Sequence, residues 1–217
     1  MVKNIIKAPV LYILKLLDLY SLFMLRKAGP LKESGWFRSF REKAPIDADG
    51  NPLPWLTYPA IEFLKQRVRR EMSVFEYGCG ASTLWWATRV KEVISVEHDK
   101  DWYARISPSL PGNVILCHVP LNYGGAYAAK IAEHEKRFNV VVLDGRDRIN
   151  CAMNCLKSLK DDGVIIWDNS DRKEYEEGFR FLIAHDFRKI EFVGFAPGNI
   201  DKTETAIFYR SGNCLEI

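Results

Sequence analysis

Residues 74–83, Val-Phe-Glu-Tyr-Gly-Cys-Gly-Ala-Ser-Thr, constrain this chain more than any other stretch. Residues 74–77 favour a short buried strand. Gly78 and Gly80 bracket a tight turn, residues 84–88 begin a helix, and Ser82 or Thr83 can cap it. A strand, a glycine turn and a helix in succession let a nucleotide-like ligand approach bare backbone, because a Cβ at either glycine would hold it away. A second apolar strand over residues 93–96 ends on Glu97, 17 residues after Gly80. That is close to the spacing of about 20 at which an acid on the second strand tip holds two ribose hydroxyls. The third glycine of the dinucleotide fingerprint is missing, which points to a nucleoside without phosphates.

Glu76-Tyr77-Gly78-Cys79-Gly80, followed by Ser95-Val96-Glu97-His98-Asp99, resembles motifs I and II of class I S-adenosylmethionine (SAM)-dependent methyltransferases. The resemblance runs from about Pro59 to Arg210. It implies a SAM-binding Rossmann-like domain over residues 59–217, with residues 1–58 as an N-terminal helical extension and lid. It also implies roles within the cofactor site. Gly78, Cys79 and Gly80 give backbone access to the methionine moiety, with Ser82 and Thr83 beside them. Glu76 orients water or the ammonium group, Glu97 takes the ribose hydroxyls, His98 sits near the adenine, and Asp144 lies by the methyl donor. The segment before the first strand often covers the active site in this class, which makes Trp55 and Tyr58 candidate substrate contacts. Core packing is the alternative for both.

The rest of the chain reads as alternating strands and helices. A third strand over 113–118 leads into a glycine- and tyrosine-rich loop at 122–127. Such loops at strand C-termini build ligand sites in open α/β sheets, so Tyr123 is a candidate substrate contact. A helix over 128–137 precedes a fourth strand at 139–143, which runs into Asp144-Gly145-Arg146-Asp147-Arg148. A helix over 149–159 and a turn at Asp162-Gly163 precede a fifth strand at 164–167, ending in Asp168-Asn169. Both of these strands are continuous apolar runs, as expected where a sheet is covered on both faces. After a helix at 175–185, runs at 189–195 and 205–210 read as antiparallel strands closing the sheet. The expected fold is α/β and doubly wound: a mostly parallel seven-stranded sheet with an antiparallel last strand, plus the helical extension.

Methyl transfer from a sulfonium is an in-line displacement, so the protein mainly aligns the acceptor and removes a proton from it. Asp144 and Asp168 are the candidate catalytic acids. By resemblance to catechol-type O-methyltransferases, Asp144, Asp168 and Asn169 would bind Mg²⁺, which would lower the pKa of an acceptor hydroxyl. The Gly-Arg-Asp-Arg continuation departs from that group. It is similar to a second one, often linked to glycan or secondary metabolism, with no established metal. On that reading Asp144 acts as a metal-free base, or pairs with Arg146 or Arg148, and the arginines hold a carboxylate or phosphate of the substrate. Arg146 and Asn169 are therefore further substrate candidates. The expected reaction is methylation of a hydroxyl on a small molecule or glycan. The alternatives are an aminopropyltransferase or NAD-dependent oxidoreductase on the same sheet, or a non-catalytic membrane-associated scaffold.

The 217 residues, 47% hydrophobic and with a net charge of +3, suit one domain plus an extension. No basic stripe with interleaved aromatics points to nucleic acid. Five cysteines without a C-x-x-C pair read as reduced thiols in a cytoplasmic protein, with Cys151 and Cys155 packed on one helix face. Residues 5–25 read as one amphipathic helix with a wide apolar side. It either packs on the domain or a second subunit, giving a homodimer, or lies in a membrane interface through residues 4–28, placing the protein at the inner membrane face.

Overall fold

A computed structural model describes residues 7–217, with side chains described from Tyr12 onward. Residues 5 and 6 of the expected N-terminal helix, and residue 4 of the expected membrane segment, lie outside the described residues. The extension contains α1 (Lys7–Leu16), α2 (Tyr20–Lys27), α3 (Pro30–Glu33) and α4 (Trp36–Glu42). The domain continues with α5 (Tyr58–Lys65), β1 (Ser73–Tyr77), α6 (Ala81–Ala87), β2 (Glu92–Glu97), α7 (Lys100–Ile106), β3 (Val114–His118) and α8 (Ala126–Ala129). It ends with β4 (Phe138–Leu143), α9 (Arg148–Cys155), β5 (Leu159–Asp168), α10 (Glu176–Ala184), β6 (Arg188–Phe195) and β7 (Lys202–Tyr209).

The sheet has the order β3-β2-β1-β4-β5-β7-β6. Strands β1 to β5 are parallel, and β7 is inserted antiparallel between β5 and β6. The chain leaves β1 towards β2 and β3 on one side, then returns to β4 on the other. That reversal opens a crevice at the carboxyl ends of β1 and β4, where ligands bind in sheets of this kind. Alternation along the strands builds two cores. Phe75, Tyr77, Val141, Leu143 and Trp167 pack under α8, α9 and α10 on one face, while Val74, Val140, Val142 and Ile166 meet Ile61, Leu64, Trp85 and Trp86 on the other.

Three local expectations are revised. Helix 5–25 is broken in two at Asp18, which adopts φ +55°. Leu19 N–H donates to Leu14 O at 2.8 Å and Asp18 N–H to Lys15 O at 3.1 Å, the two bonds of a left-handed helix C-cap, a conformation Asp tolerates better than most residues. The turn expected at Asp162-Gly163 lies inside β5, where the Leu159 side chain covers Gly163 and Cys214 N–H pairs with Asp162 O at 2.7 Å. The helix expected over 128–137 is a single turn, α8, followed by a 3₁₀ turn over Lys130–Glu133.

Candidate active site

A cleft of about 320 Å³ opens at the carboxyl ends of β1, β2, β4 and β5. Its floor is the turn after β1. Gly78 adopts φ +90°, and a Cβ there would meet Gly145 Cα at 3.3 Å. Gly145 is tighter still, since its Cβ would strike the Tyr127 hydroxyl and the backbone of Tyr77 and Gly78. The β1 and β4 turns therefore approach backbone to backbone, which only glycine allows. Gly80 is different: a Cβ there would stand in open space, so its absence leaves room for a ligand.

Beneath this elbow, Glu76 is fully buried. Its Oε2 accepts from Thr83 Oγ1 at 2.5 Å and lies 3.2 Å from Ser95 Oγ, while its Oε1 has no partner. Burial pushes this carboxyl up to about 7. Thr83 in turn accepts the Gly80 N–H at 3.0 Å. Gly80 is thus the N-cap of α6, and Thr83, buried behind the turn, braces both Gly80 and Glu76 instead of facing the cleft. Ser82 lines the cleft.

Glu97 forms the opposite wall. Its Oε1 accepts the His98 and Asp99 N–H groups at 2.7 and 2.8 Å, and its Oε2 accepts Cys79 N–H at 3.3 Å. The last bond ties the glycine elbow directly to the tip of β2. His98 lines the same wall, with Nδ1 2.9 Å from Glu97 Oε1 and its ring edge-on to buried Tyr127. Asp99 caps α7, accepting from Asp101 and Trp102 N–H at 2.9 and 2.8 Å. Trp102, which sequence reading passed over, donates its indole N–H to Cys79 O at 2.8 Å and so fixes the elbow from the other side.

The tips of β4 and β5 are joined by Arg148. This buried guanidinium donates to the carbonyls of Gly145 at 2.9 Å, Asp144 at 3.2 Å and Asp168, and to Asp144 Oδ1 at 3.1 Å. Asp144 lines the cleft with about a quarter of its side chain exposed. Burial raises its pKa, and Arg148 pulls it back down. Asp168 is buried and does not line the cleft. Its Oδ1 accepts from Thr205 Oγ1 at 2.9 Å, and burial raises its pKa too.

The Mg²⁺ expected on Asp144, Asp168 and Asn169 does not fit this arrangement. The Asp144 carboxylate already pairs with a fixed cation, that of Asp168 is committed to Thr205, and Asn169 Nδ2 reaches towards Thr203 Oγ1 at 3.4 Å. Among the described residues no group of three His, Cys, Asp or Glu could hold a metal. Asp168 is accordingly placed as a support for the β5–β7 contact, not as a group that meets substrate. Asn169 lines the cleft rim.

A second hollow of about 510 Å³ adjoins the cleft and shares Arg146, Arg148 and Arg172 with it. Asp147 shapes it: Oδ2 accepts Gly124 N–H at 2.7 Å and Oδ1 accepts from Asn150 at 2.7 Å, pinning the 122–125 loop. Exposed Tyr123 stands at its edge. Arg172, absent from the sequence candidates, joins Arg146 at the mouth, and neither forms an ion pair with an acid among the described residues.

Trp55 and Tyr58 do not reach either hollow. Thr57 N–H donates to Thr205 Oγ1 at 3.1 Å, Thr57 Oγ1 donates to Phe192 O at 3.0 Å, and Leu53 and Leu56 are buried. These contacts pin the segment across β7 and β6, away from the strand tips. Tyr58 instead lines a separate cavity between the extension and β6, and Trp55 is half exposed.

No protein-family model and no curated protein matches the chain. Several solved structures do. A precorrin 8W decarboxylase from Methanobacterium thermoautotrophicum aligns over 78% of this chain and 97% of its own, with TM-score 0.54 and 16% identity. A SAM-dependent O-methyltransferase from Thermotoga maritima aligns over 73% and 67%, with TM-score 0.52 and 15% identity. A spermidine synthase in complex with the transition state analogue AdoDATO aligns over 67% and 57%, with TM-score 0.52 and 16% identity. With its seven strands in the order β3-β2-β1-β4-β5-β7-β6 and β7 antiparallel, the chain has the class I methyltransferase fold.

Proposed function

We propose that this protein is a SAM-dependent methyltransferase that methylates a hydroxyl of a small molecule or sugar without a metal ion. The observation that carries the reading is one cleft lined by the Gly78–Cys79 elbow and by Glu97, with Glu76 fully buried beneath the elbow and its Oε1 left without a hydrogen-bond partner. A buried acceptor without a donor is costly unless a ligand supplies one. An amino-acid ammonium held towards Glu76 and a ribose diol on Glu97 would satisfy both acids with one adenosyl ligand. A pyrophosphate would be repelled by Glu76, which disfavours a dinucleotide.

Bound there, SAM would supply a methyl group on a positively charged sulfur, with a neutral thioether as leaving group. The chain's own residues do the remainder. Arg148 holds Asp144 in the wall of the cleft, where its carboxylate can accept the hydroxyl proton of an acceptor as the new O–C bond forms. Arg146 and Arg172 at the mouth favour an acceptor that carries a carboxylate or phosphate. They oppose the protonated polyamine that aminopropyl transfer would require, although a spermidine synthase shares the fold.

Calorimetric titration with S-adenosylhomocysteine tests the reading through pH. Glu76 has its carboxyl raised to about 7 in the free protein, against an ordinary value of 4.5. Only the ionised form attracts an ammonium, so binding releases a proton, and affinity falls as pH drops through 7. A loss of several-fold, approaching tenfold, is expected between about pH 7.5 and about pH 6. Glu76→Gln should flatten that slope. The same shift means that the unfolded chain ionises Glu76 well before the ligand-free fold can, so the fold loses stability as pH rises from 4.5 towards 7. Glu76→Gln should therefore melt higher than the parent at neutral pH, by about 3 kcal/mol at most. No binding at millimolar ligand, or binding with no proton release, would rule the assignment out.

A further inference from the structure

The N-terminal helices carry an apolar surface that the domain does not cover. None of the described side chains over residues 12–27 is buried. Half or more of Tyr12, Ile13, Leu16, Leu17 and Leu22 is exposed, and Leu19, Phe23, Met24 and Leu25 are each about 40% exposed or more. Of the two sequence readings of this segment, packing on its own domain is therefore not what the described residues do. So many exposed large apolar side chains within 14 residues mark an interaction site. Next to it lies a groove of about 750 Å³ lined by Arg26, Lys32, Arg38, Arg41 and Lys43 around Phe37 and Phe40, the latter half exposed.

We infer that this face docks on an anionic lipid membrane, with the apolar side chains in the acyl boundary and the groove's cations against headgroup phosphates. Charge selects the occupant. Residues 1–43 hold nine Lys and Arg against three Asp and Glu, while the whole chain is only +3, so the rest of the molecule is net negative. A second copy would set one strongly cationic face against another. An anionic surface complements it, and each basic residue near such a surface strengthens partitioning about fivefold. The geometry fits lying on the bilayer: no helix of the described residues is long and apolar enough to cross a membrane. The ten residues of α1 span about 15 Å, half of a hydrocarbon core of about 30 Å. The break at Asp18 and the turn at Gly29 let α1 and α2 follow a surface as two short segments.

Flotation of the full chain with vesicles tests this. Vesicles of phosphatidylcholine with about one-third phosphatidylglycerol should carry the protein, and pure phosphatidylcholine should carry at least tenfold less. Raising the salt from about 0.1 M to about 1 M, which shortens screening from about 10 Å to about 3 Å, should release most of it from the unaltered chain. Arg26→Glu with Arg41→Glu should lower partitioning at least tenfold, and Leu22→Ser with Phe23→Ser should abolish it. Both pairs are surface changes, so melting should stay unchanged. Failure to float with anionic vesicles, or equal flotation of parent and variants, overturns the proposal. So does a dimer in light scattering that Leu22→Ser with Phe23→Ser turns into monomer without any vesicle binding, which would assign the face to a second copy.

Discussion

Glu97→Gln is expected to weaken S-adenosylhomocysteine binding by at least about 100-fold while leaving the ligand-free protein folded. Two ribose hydroxyls donating to one ionised carboxylate make charge-assisted hydrogen bonds worth about 1.5–3 kcal/mol each. The amide keeps one acceptor and turns the other into a donor facing a donor. The substitution also disturbs the site's own frame, because Glu97 accepts the N–H groups of Cys79, His98 and Asp99. These are backbone groups at an accessible turn, so water can replace much of what they lose, and the melting temperature should fall by only a few degrees. Calorimetry on both proteins reads the affinity, and a change under threefold would mean that Glu97 does not hold the ligand.

Arg148→Ala should produce the largest stability loss of any single change at the site. The guanidinium satisfies three strand-end carbonyls and the Asp144 carboxylate from a position only 7% exposed. Removing it leaves three carbonyls without their donor and a part-buried acid without its cation, which together cost about 3–5 kcal/mol. For a chain of this length that lowers the melting temperature by about 10 °C. The deficit should shrink as pH falls. The orphaned Asp144 would have its pKa raised above the unfolded value, so the penalty for ionising it is lost once it is protonated. Arg148→Lys keeps a charge but cannot bridge β4 to β5 with a planar fork, and should fall in between. Urea denaturation of the three proteins at two pH values checks this. A loss below about 1 kcal/mol for Arg148→Ala would show that the guanidinium is not what joins the two tips.

The sheet was legible because its evidence is local. Apolar runs, a glycine elbow and an acid at a set spacing each lie within a few residues, and they put β1, β2, β4 and β5 where the structure has them. The orientation of side chains beyond the strand tips was not legible, because it depends on partners far along the chain. Asp168 turns to Thr205, which comes from the strand inserted last. Trp55 and Tyr58 stay off the cleft because Thr57 is tied to Thr205 and Phe192. Asp144 and Arg148, by contrast, stand four residues apart across the short turn that joins β4 to α9. Their pairing was open to sequence reasoning, and it is what leaves Asp144 a poor fit to the expected Mg²⁺. Arg172 lies in the loop after β5, and only the folded arrangement brings it beside Arg146.

The most direct test is a crystal structure of the protein with S-adenosylhomocysteine. The ribose hydroxyls should lie within hydrogen-bond distance of Glu97, and the amino group should be held directly or through one water by Glu76 Oε1, with the sulfur turned towards Asp144. A ligand seated away from the Gly78–Gly80 turn, or a cleft that stays empty at saturating ligand, would contradict the assignment.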